Sequence, residues 1–395
     1  MSCARKARGV SALAAAFFSF VIACCVVESA GAVSFPLRDE PESVTPEEAE
    51  RQGFVAQSRH DDRAAVRWLE RAARANRPAS QMALGMQYFD GKGVAKDVVR
   101  AVQLAKAAAS QGVASAQSFL GWAYLTGTGV EADPVQAVQW LTAAARQEDP
   151  YALRELGRCY YEGVGTKRDA ERSRQLTIRA GELGDPDARL AWAGWLVTGG
   201  ATYRDVPRGI SVLTRSVRLK DFRAAFVLGK LYLGSEYVPV DQVAAAQWFK
   251  VAADEGHVAA MLWLSELHFK GIGVKHDEAQ AEKLLKGALA RADLGVKNQF
   301  AWELAVGEVV QLRDGELAIR VLEPALAAAE KKAAGYIDTL AAAYATANQF
   351  DKAVATQRLA IESARRDQWA KEKLSRLEKR LELYTRHEAY REKVL

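Results

Sequence analysis

The sequence predicts an all-α fold, an α-solenoid of stacked antiparallel helix pairs, and three observations predict it. Aspartates recur every 36 residues at Asp61, Asp97, Asp133, Asp169, Asp205, Asp241 and Asp277. Small residues recur with the same spacing at Gly85, Gly121, Gly157, Ala193, Gly229 and Ser265. Between the two series a glycine-rich segment returns: GKGV from Gly91, GTGV from Gly127, GVGT from Gly163 and GIGV from Gly271.

Each aspartate reads as the N-cap of a second helix, B, its carboxylate accepting from the free amides of the first turn. Pro134, directly after Asp133, sits where a helix tolerates proline best. Apolar positions then recur at helical spacing, as in Ala137, Trp140, Leu141 and Ala144, or Ala245, Trp248, Phe249 and Ala252. Each small residue marks a first helix, A. A large residue stands before it (Leu84, Leu120, Leu156, Trp192, Leu228, Leu264) and a ring usually stands three after it (Tyr88, Tyr124, Tyr160, Tyr232, His268). The small residue predicts a notch into which a neighbouring helix packs. Glycine between A and B ends the first helix and turns the chain back. A phosphate-cradling loop is excluded, because such a loop follows a strand and does not recur in every repeat.

In chain order, Arg5, Lys6 and Arg8 precede an apolar run from Val10 to Val27, and Ala30-Gly31-Ala32 fits a signal-peptidase site. The expectation is a signal peptide over 1–32 and an acidic linker over 33–43, giving a periplasmic chain. Two alternatives stay open: a lipid anchor at Cys24, read from Val21-Ile22-Ala23-Cys24, and an uncleaved anchor helix. A divergent hairpin over 44–78 opens at Thr45-Pro46-Glu47-Glu48. The 36-residue repeats cover 79–290, with altered loops near Gly199 and at Ser235 to Pro239. Shorter hairpins follow over 291–367, and a charged helix over 368–395, with Ala370, Leu374, Leu377, Leu381 and Tyr384 on one face, closes the array as a cap.

The residues from Ala116, Leu120, Gly121 and Tyr124 through Gly127, Gly129 and Val130 to Asp133, Ala137 and Trp140 resemble the Sel-one-like repeat, the longer-looped relative of the tetratricopeptide repeat. Residues Asp338 to Ala360 resemble an ordinary tetratricopeptide repeat. The resemblance implies a right-handed superhelix with an inner wall lined by A helices, and a scaffold or adaptor that binds other envelope proteins or peptides. Relatives of this kind serve in secretion-system assembly, exopolysaccharide secretion or regulatory complexes. Some cysteine-rich relatives are linked to β-lactam binding; their paired cysteines are absent here, so that activity is not carried over.

Composition agrees with a packed binding protein. Hydrophobic residues make up 49% and charged residues 26%, with 54 basic against 49 acidic side chains interleaved along the chain. That balance argues against a nucleic-acid partner. Cys3, Cys24 and Cys25 lie in the signal region, leaving Cys159 without an internal disulfide partner. The five histidines form no metal motif, no catalytic constellation appears and no cofactor is called for. Architecture thus absorbs the aspartates and glycines. Candidate partner-binding residues are those at the variable position after the notch, Met86, Trp122, Arg158, Lys230 and Glu266, together with Trp195. A carbohydrate- or peptidoglycan-binding module is the alternative, resting on exposure of Trp122, Trp195 and Tyr203; an enzyme is the remaining one.

Overall fold

The computed structural model describes residues 44–199, 204–307, 309–329 and 333–391. The expected signal peptide and linker, with Cys24 and Tyr203, therefore lie outside the described residues. Among the described residues nineteen α-helices follow one another, and the extended structure is a single isolated bridge, Ser235 to Val238. The chain is an all-α solenoid of paired helices, divided into two compact units, one ending at Trp192 and one beginning at Ala193.

Unit one holds the pairs α1 (Pro46–Ser58) with α2 (Asp62–Arg74), α3 (Pro78–Asp90) with α4 (Val98–Ser110), α5 (Ala114–Thr126) with α6 (Pro134–Ala145), and α7 (Pro150–Glu162) with α8 (Ala170–Glu182). Helix α9 (Pro186–Thr198) runs across the division. Unit two continues with α10 (Val206–Arg218), α11 (Arg223–Leu233), α12 (Gln242–Asp254), α13 (Val258–Lys270), α14 (Glu278–Arg291) and α15 (Leu294–Val306). A 3-10 turn, Val310–Leu312, leads to α16 (Gly315–Ala327), α17 (Ala334–Thr346), α18 (Phe350–Arg366) and α19 (Lys371–Thr385). Odd-numbered helices up to α17 are the A helices and even-numbered ones the B helices.

Every aspartate of the predicted series caps its B helix. Asp97 accepts from the Arg100 amide at 2.9 Å, Asp133 from Val135 and Gln136 at 3.0 Å each, and Asp277 from Gln280 at 2.9 Å. The capping residue is also tied backward: the Asp97, Asp133 and Asp169 amides donate to the carbonyls of Tyr88, Tyr124 and Tyr160, at 2.8 to 3.0 Å. One residue thus closes the A–B loop through its backbone and starts the next helix through its side chain. Asp314 repeats the arrangement beyond the long-loop repeats, accepting from Leu317 at 2.8 Å.

The notch works as the spacing predicts. A methyl group at Gly121 would stand 2.5 Å from the Leu141 side chain, and one at Gly229 would stand 2.6 Å from the Phe249 ring. Both glycines admit the B helix of their own pair. The loop glycines divide their duties. Gly91, Gly127, Gly163 and Gly271 end the A helices at φ 66° to 74°. The second glycines, Gly93, Gly129, Gly165 and Gly273, are pressed on the first turn of the preceding B helix, where a Cβ would overlap the carbonyl of Asp62, Val98, Pro134 or Gln242. These are contacts between successive repeats, and no side chain fits them.

The turn from each B helix into the next A helix also repeats, at Asn76, Gly112, Glu148, Gly184, Lys220 and Gly256, all with positive φ. This position is 36-periodic in conformation but not in residue type. The altered loops keep their hairpins: α11 and α12 pair normally although Tyr237 stands where a second glycine would fall.

At the C-terminal end α19 packs against the last hairpin, with Ala370 as its N-cap. Leu377 and Tyr384 of α19 are buried, and Leu374 and Leu381 pack beside Ile361 and Ala364. Arg380 reaches back to the buried Asp338 of α17 with two hydrogen bonds, 2.8 and 2.7 Å, and Gln357 donates to the same carboxylate at 2.9 Å. A paired, hydrogen-bonded carboxylate avoids the cost of a lone buried charge.

Two glycine substitutions separate crowding from backbone conformation. Gly112 has φ +90° with open space around it, whereas Gly273 has φ +67° and backbone against it. Gly112→Ala is expected to cost about 1–2 kcal/mol, the left-handed penalty alone. Gly273→Ala is expected to cost about 3 kcal/mol or more, because overpacking adds to that penalty. Urea unfolding followed by circular dichroism measures both; equal losses would contradict the inter-repeat contact.

Candidate functional site

The candidate positions occupy one register of the A helices, directly after the notch, and the structure treats them unequally. In unit one Met86 and Trp122 belong to the buried core, Trp122 being 8% exposed. This corrects the expectation that the position after the notch lies on an open wall. The physical reason is aromatic packing: Trp122 meets Phe89 of the preceding A helix edge-on at 5.5 Å and Phe119 of its own helix at 5.6 Å. Burial of Trp122 also removes one of the three rings on which a sugar-stacking surface would depend.

Arg158 is open, with 51% of its side chain exposed. It lies over Glu155, itself buried, at 2.5 Å. Arg154 joins the same carboxylate at 2.6 Å and reaches Asp185 in the next repeat at 3.1 Å. Asp185 in turn caps α9 by accepting from the Ala188 amide at 2.7 Å. Desolvation raises the Asp185 carboxyl above the usual range, against the pull of Arg154. The network holds α7 to the N-terminal cap of α9 and leaves the Arg158 guanidinium at the surface.

In unit two Trp195 is half-buried. Lys230 stands 4.3 Å from the Trp263 ring centroid and 3.1 Å from Glu303, so its charge is already engaged. Glu266 has no exposed surface at all and lines a cleft of about 630 Å³ between α13 and α16 with Phe269, Lys270, Asp314, Leu317 and Arg320. Its Oε1 lies 3.3 Å from the Lys270 ammonium, yet neither carboxylate oxygen accepts a hydrogen bond. Desolvation dominates and raises its pKa to about 7, while Lys270 opposes the shift. A second cleft, of about 750 Å³, surrounds the altered loop, where Val240 and Val243 are exposed.

Cys159 is buried and its thiol is pushed up to about 11 by desolvation, far from the thiolate a nucleophile needs. His268 is half-buried, with Nδ1 3.3 Å from the Lys275 carbonyl. Among the described residues no group of three His, Cys, Asp or Glu side chains is disposed to hold a metal ion. Glu266 is a single perturbed carboxylate tied to a lysine rather than a carboxylate pair.

Three sets of residues escaped the sequence reading. A second cap series serves the A helices: Asp149 accepts from Ala152 at 2.8 Å, Asp185 from Ala188, His257 from Ala260 at 3.2 Å and Asp293 from Val296 at 2.8 Å. Asp221 keeps the phase but binds the Arg223 guanidinium instead. The same 36-residue spacing was available to find these. A glutamine ladder joins successive repeats: Gln111 donates to Gln81 at 2.9 Å, and Gln147 to Gln117 at 2.8 Å. Lys270 and Asp314 complete the Glu266 cleft, and they come from different repeat types, so no period links them.

Similarity to known proteins agrees with this architecture. The Sel1 repeat model matches residues 51–76, 78–113, 114–149, 150–185, 223–257 and 258–291. The unmatched 186–222 contains the altered loop near Gly199. Among curated protein sequences none matches significantly. A Sel1 repeat protein from Oxalobacter formigenes is similar in structure, with TM-score 0.54 and 29% identity over 61% of this chain and 96% of that one. The protective antigen c5321 of uropathogenic Escherichia coli, which displays an SLR fold, aligns with TM-score 0.57 and 23% identity over 87% of this chain and 77% of that one, a likeness of fold.

The Glu266 shift fixes a pH dependence. Between about pH 7 and the unfolded value of 4.5 the folded chain holds a proton that the unfolded chain releases. Folding stability relative to a Glu266→Gln variant should therefore rise as pH falls through that window, by at most about 1.4 kcal/mol per unit. Denaturation midpoints of both proteins between pH 8 and pH 5 measure it, and parallel curves would contradict the buried carboxylate. His257 acts in the opposite sense: desolvation lowers its pKa, and its cap needs the neutral ring. Stability present above the unfolded pKa of 6.5 is lost as pH falls toward the lowered folded value. His257→Asn, a non-titrating cap, should abolish that acid loss while leaving neutral stability within about 1 kcal/mol.

Proposed function

We propose that this chain, which belongs to the Sel1 repeat family, is an exported scaffold of the bacterial cell envelope that assembles other proteins and carries out no reaction itself. Sel1 repeats imply a protein–protein interaction scaffold, and the packing gives that a physical form. Aspartates, notch glycines and loop glycines are consumed by capping and close contact, so the residues free to differ between repeats are those on the A-helix register and its neighbours.

Arg158 is the observation that carries the reading most directly. It presents a charged, planar donor at the surface, anchored from below by the buried Glu155 and backed by Arg154. A pre-positioned arginine is a common binding determinant in protein interfaces. Export rests on Arg5, Lys6, Arg8, the apolar run to Val27 and the Ala30-Gly31-Ala32 site. Assembly or regulation of a secretion or exopolysaccharide system is the finer role proposed, with envelope proteins or peptides as partners. The absence of catalysis is part of the proposal: it is supported by the inert Cys159 thiol and the lysine-tied Glu266.

Cell fractionation with mass spectrometry of the mature N-terminus tests export. The expected species begins at Val33 and is released with the periplasmic fraction; a full-length cytoplasmic chain would contradict it. Affinity capture from that envelope fraction should retain a defined partner, and Arg158→Ala should weaken its retention roughly tenfold or more. A protein that is solitary under all conditions would sink the scaffold reading.

A further inference from the structure

We propose that the exposed face of α10 binds a glutamate- or aspartate-rich segment of a partner protein, held by Arg208, Arg215, Arg218 and Lys220. This surface lies on a B helix and is independent of Arg158, so it adds a second contact to the scaffold reading on which it rests. Helix α10 and the turn after it carry the four cations between Asp205 and Asp221, with no acidic residue among them. All four are exposed. At about 3.6 residues per turn, Arg208, Ser211, Arg215, Arg218 and Leu219 fall on one stripe of the helix. Leu219 is itself 54% exposed among these charges.

The stripe is left unneutralised. Among the described residues no ion pair or hydrogen bond engages the side chains of Arg215, Arg218 or Lys220. The two carboxylates that bound the stretch are both occupied. Asp205 caps α10 by accepting from the Arg208 amide at 3.1 Å, and Asp221 accepts from the Arg223 guanidinium at 2.9 and 3.0 Å. A helix C-terminus bears about half a negative charge, which offsets part of one cation. Arg215, Arg218 and Lys220 exceed that, and Arg208 stands in the first turn, where the dipole opposes it. Packing does not call for the stripe either, since Gly209, Leu213 and Ser216 supply the buried face. The stripe also lies within 186–222, between the Sel1 matches over 150–185 and 223–257.

Unpaired guanidinium groups select carboxylates, which they bind through two parallel N–H donors. Arg208 and Arg218 are about 15 Å apart along the helix axis, a span matched by one face of an acidic helix or by about five residues of extended chain. Leu219 adds apolar contact. A flat anionic lipid surface fits less well. One repeat on, the positions equivalent to Arg218 and Leu219 are Asp254 and Glu255, both exposed. A surface resting across both turns would meet those carboxylates, whereas a segment that follows α10 avoids them.

The test uses the full chain with 13C-labelled leucine methyls, read at Leu219. The probes are acetylated, amidated peptides of equal length in which glycine alternates with glutamate, glutamine or lysine. The glutamate peptide should shift the Leu219 methyls saturably, with an affinity that falls as salt is added. The glutamine peptide should bind roughly tenfold or more weakly, and Arg215→Glu with Arg218→Glu should weaken the glutamate peptide by a similar factor. Lys283→Glu with Lys286→Glu removes the same charge from the exposed face of α14 and should leave the affinity within about twofold. Equal binding of glutamate and glutamine peptides, or an equal loss in the α14 variant, would overturn the proposal. So would phosphatidylglycerol vesicles that shift the Leu219 methyls where the glutamate peptide does not. If those results came while the wild-type chain still captured an envelope partner, the α10 assignment alone would fall; loss of all capture would remove the scaffold reading with it.

Discussion

Close stacking at the four glycine-pair loops depends on one contact: the second glycine, Gly93, Gly129, Gly165 or Gly273, against the first-turn carbonyl of the preceding B helix. A helix pair exposes an apolar stripe on each side and cannot cover both alone, so stability comes from its neighbours. At those loops the contact fixes how close successive pairs come, and it requires a loop long enough to carry a glycine across to that carbonyl. The first pair shows the converse. Helices α1 and α2 are joined by a short turn through His60 and Asp61, yet the notch persists as Gly53 against Leu69.

Once the backbones are fixed, side chains between repeats vary within narrow chemical limits. The Gln81–Gln111 and Gln117–Gln147 bridges are succeeded, one repeat on, by Leu153 beside Leu183, an apolar pair in the same register. Farther along, Arg291 donates to the Gly256 carbonyl at 2.9 Å, the role Gln147 plays toward Gly112 at 3.0 Å. The same geometric slot is filled by an amide, an alkyl group or a guanidinium. Selection on the register after the notch is looser still: a core tryptophan, a surface arginine, an engaged lysine and a buried glutamate share it.

The architecture was legible because its determinants repeat. Capping needs a particular oxygen and crowding needs the absence of a Cβ, and both leave a residue type at a fixed interval. Burial at the variable register was not legible. Whether Trp122 lies outside or inside depends on Phe89 and Phe119, and nothing in its own position announces them. The Glu266 cleft depends on Asp314, which lies beyond the last long-loop repeat. The left-handed turn at Asn76, Glu148 and Lys220 went unseen for a related reason: the backbone repeats there while the side chain does not.

What unites these observations is the proposed division of labour, in which repeating residues build and the exposed non-repeating residues, Arg158 of the A helices among them, are the ones proposed to recognise a partner. Site-specific photo-crosslinking in intact cells tests it most directly. A photoreactive residue placed at Arg158 on α7 is compared with one at Val135 on α6, which is 56% exposed on a B helix. The account predicts a discrete crosslinked partner from position 158 and none from position 135. Crosslinks from position 135 alone, or the same partner from both, would contradict it.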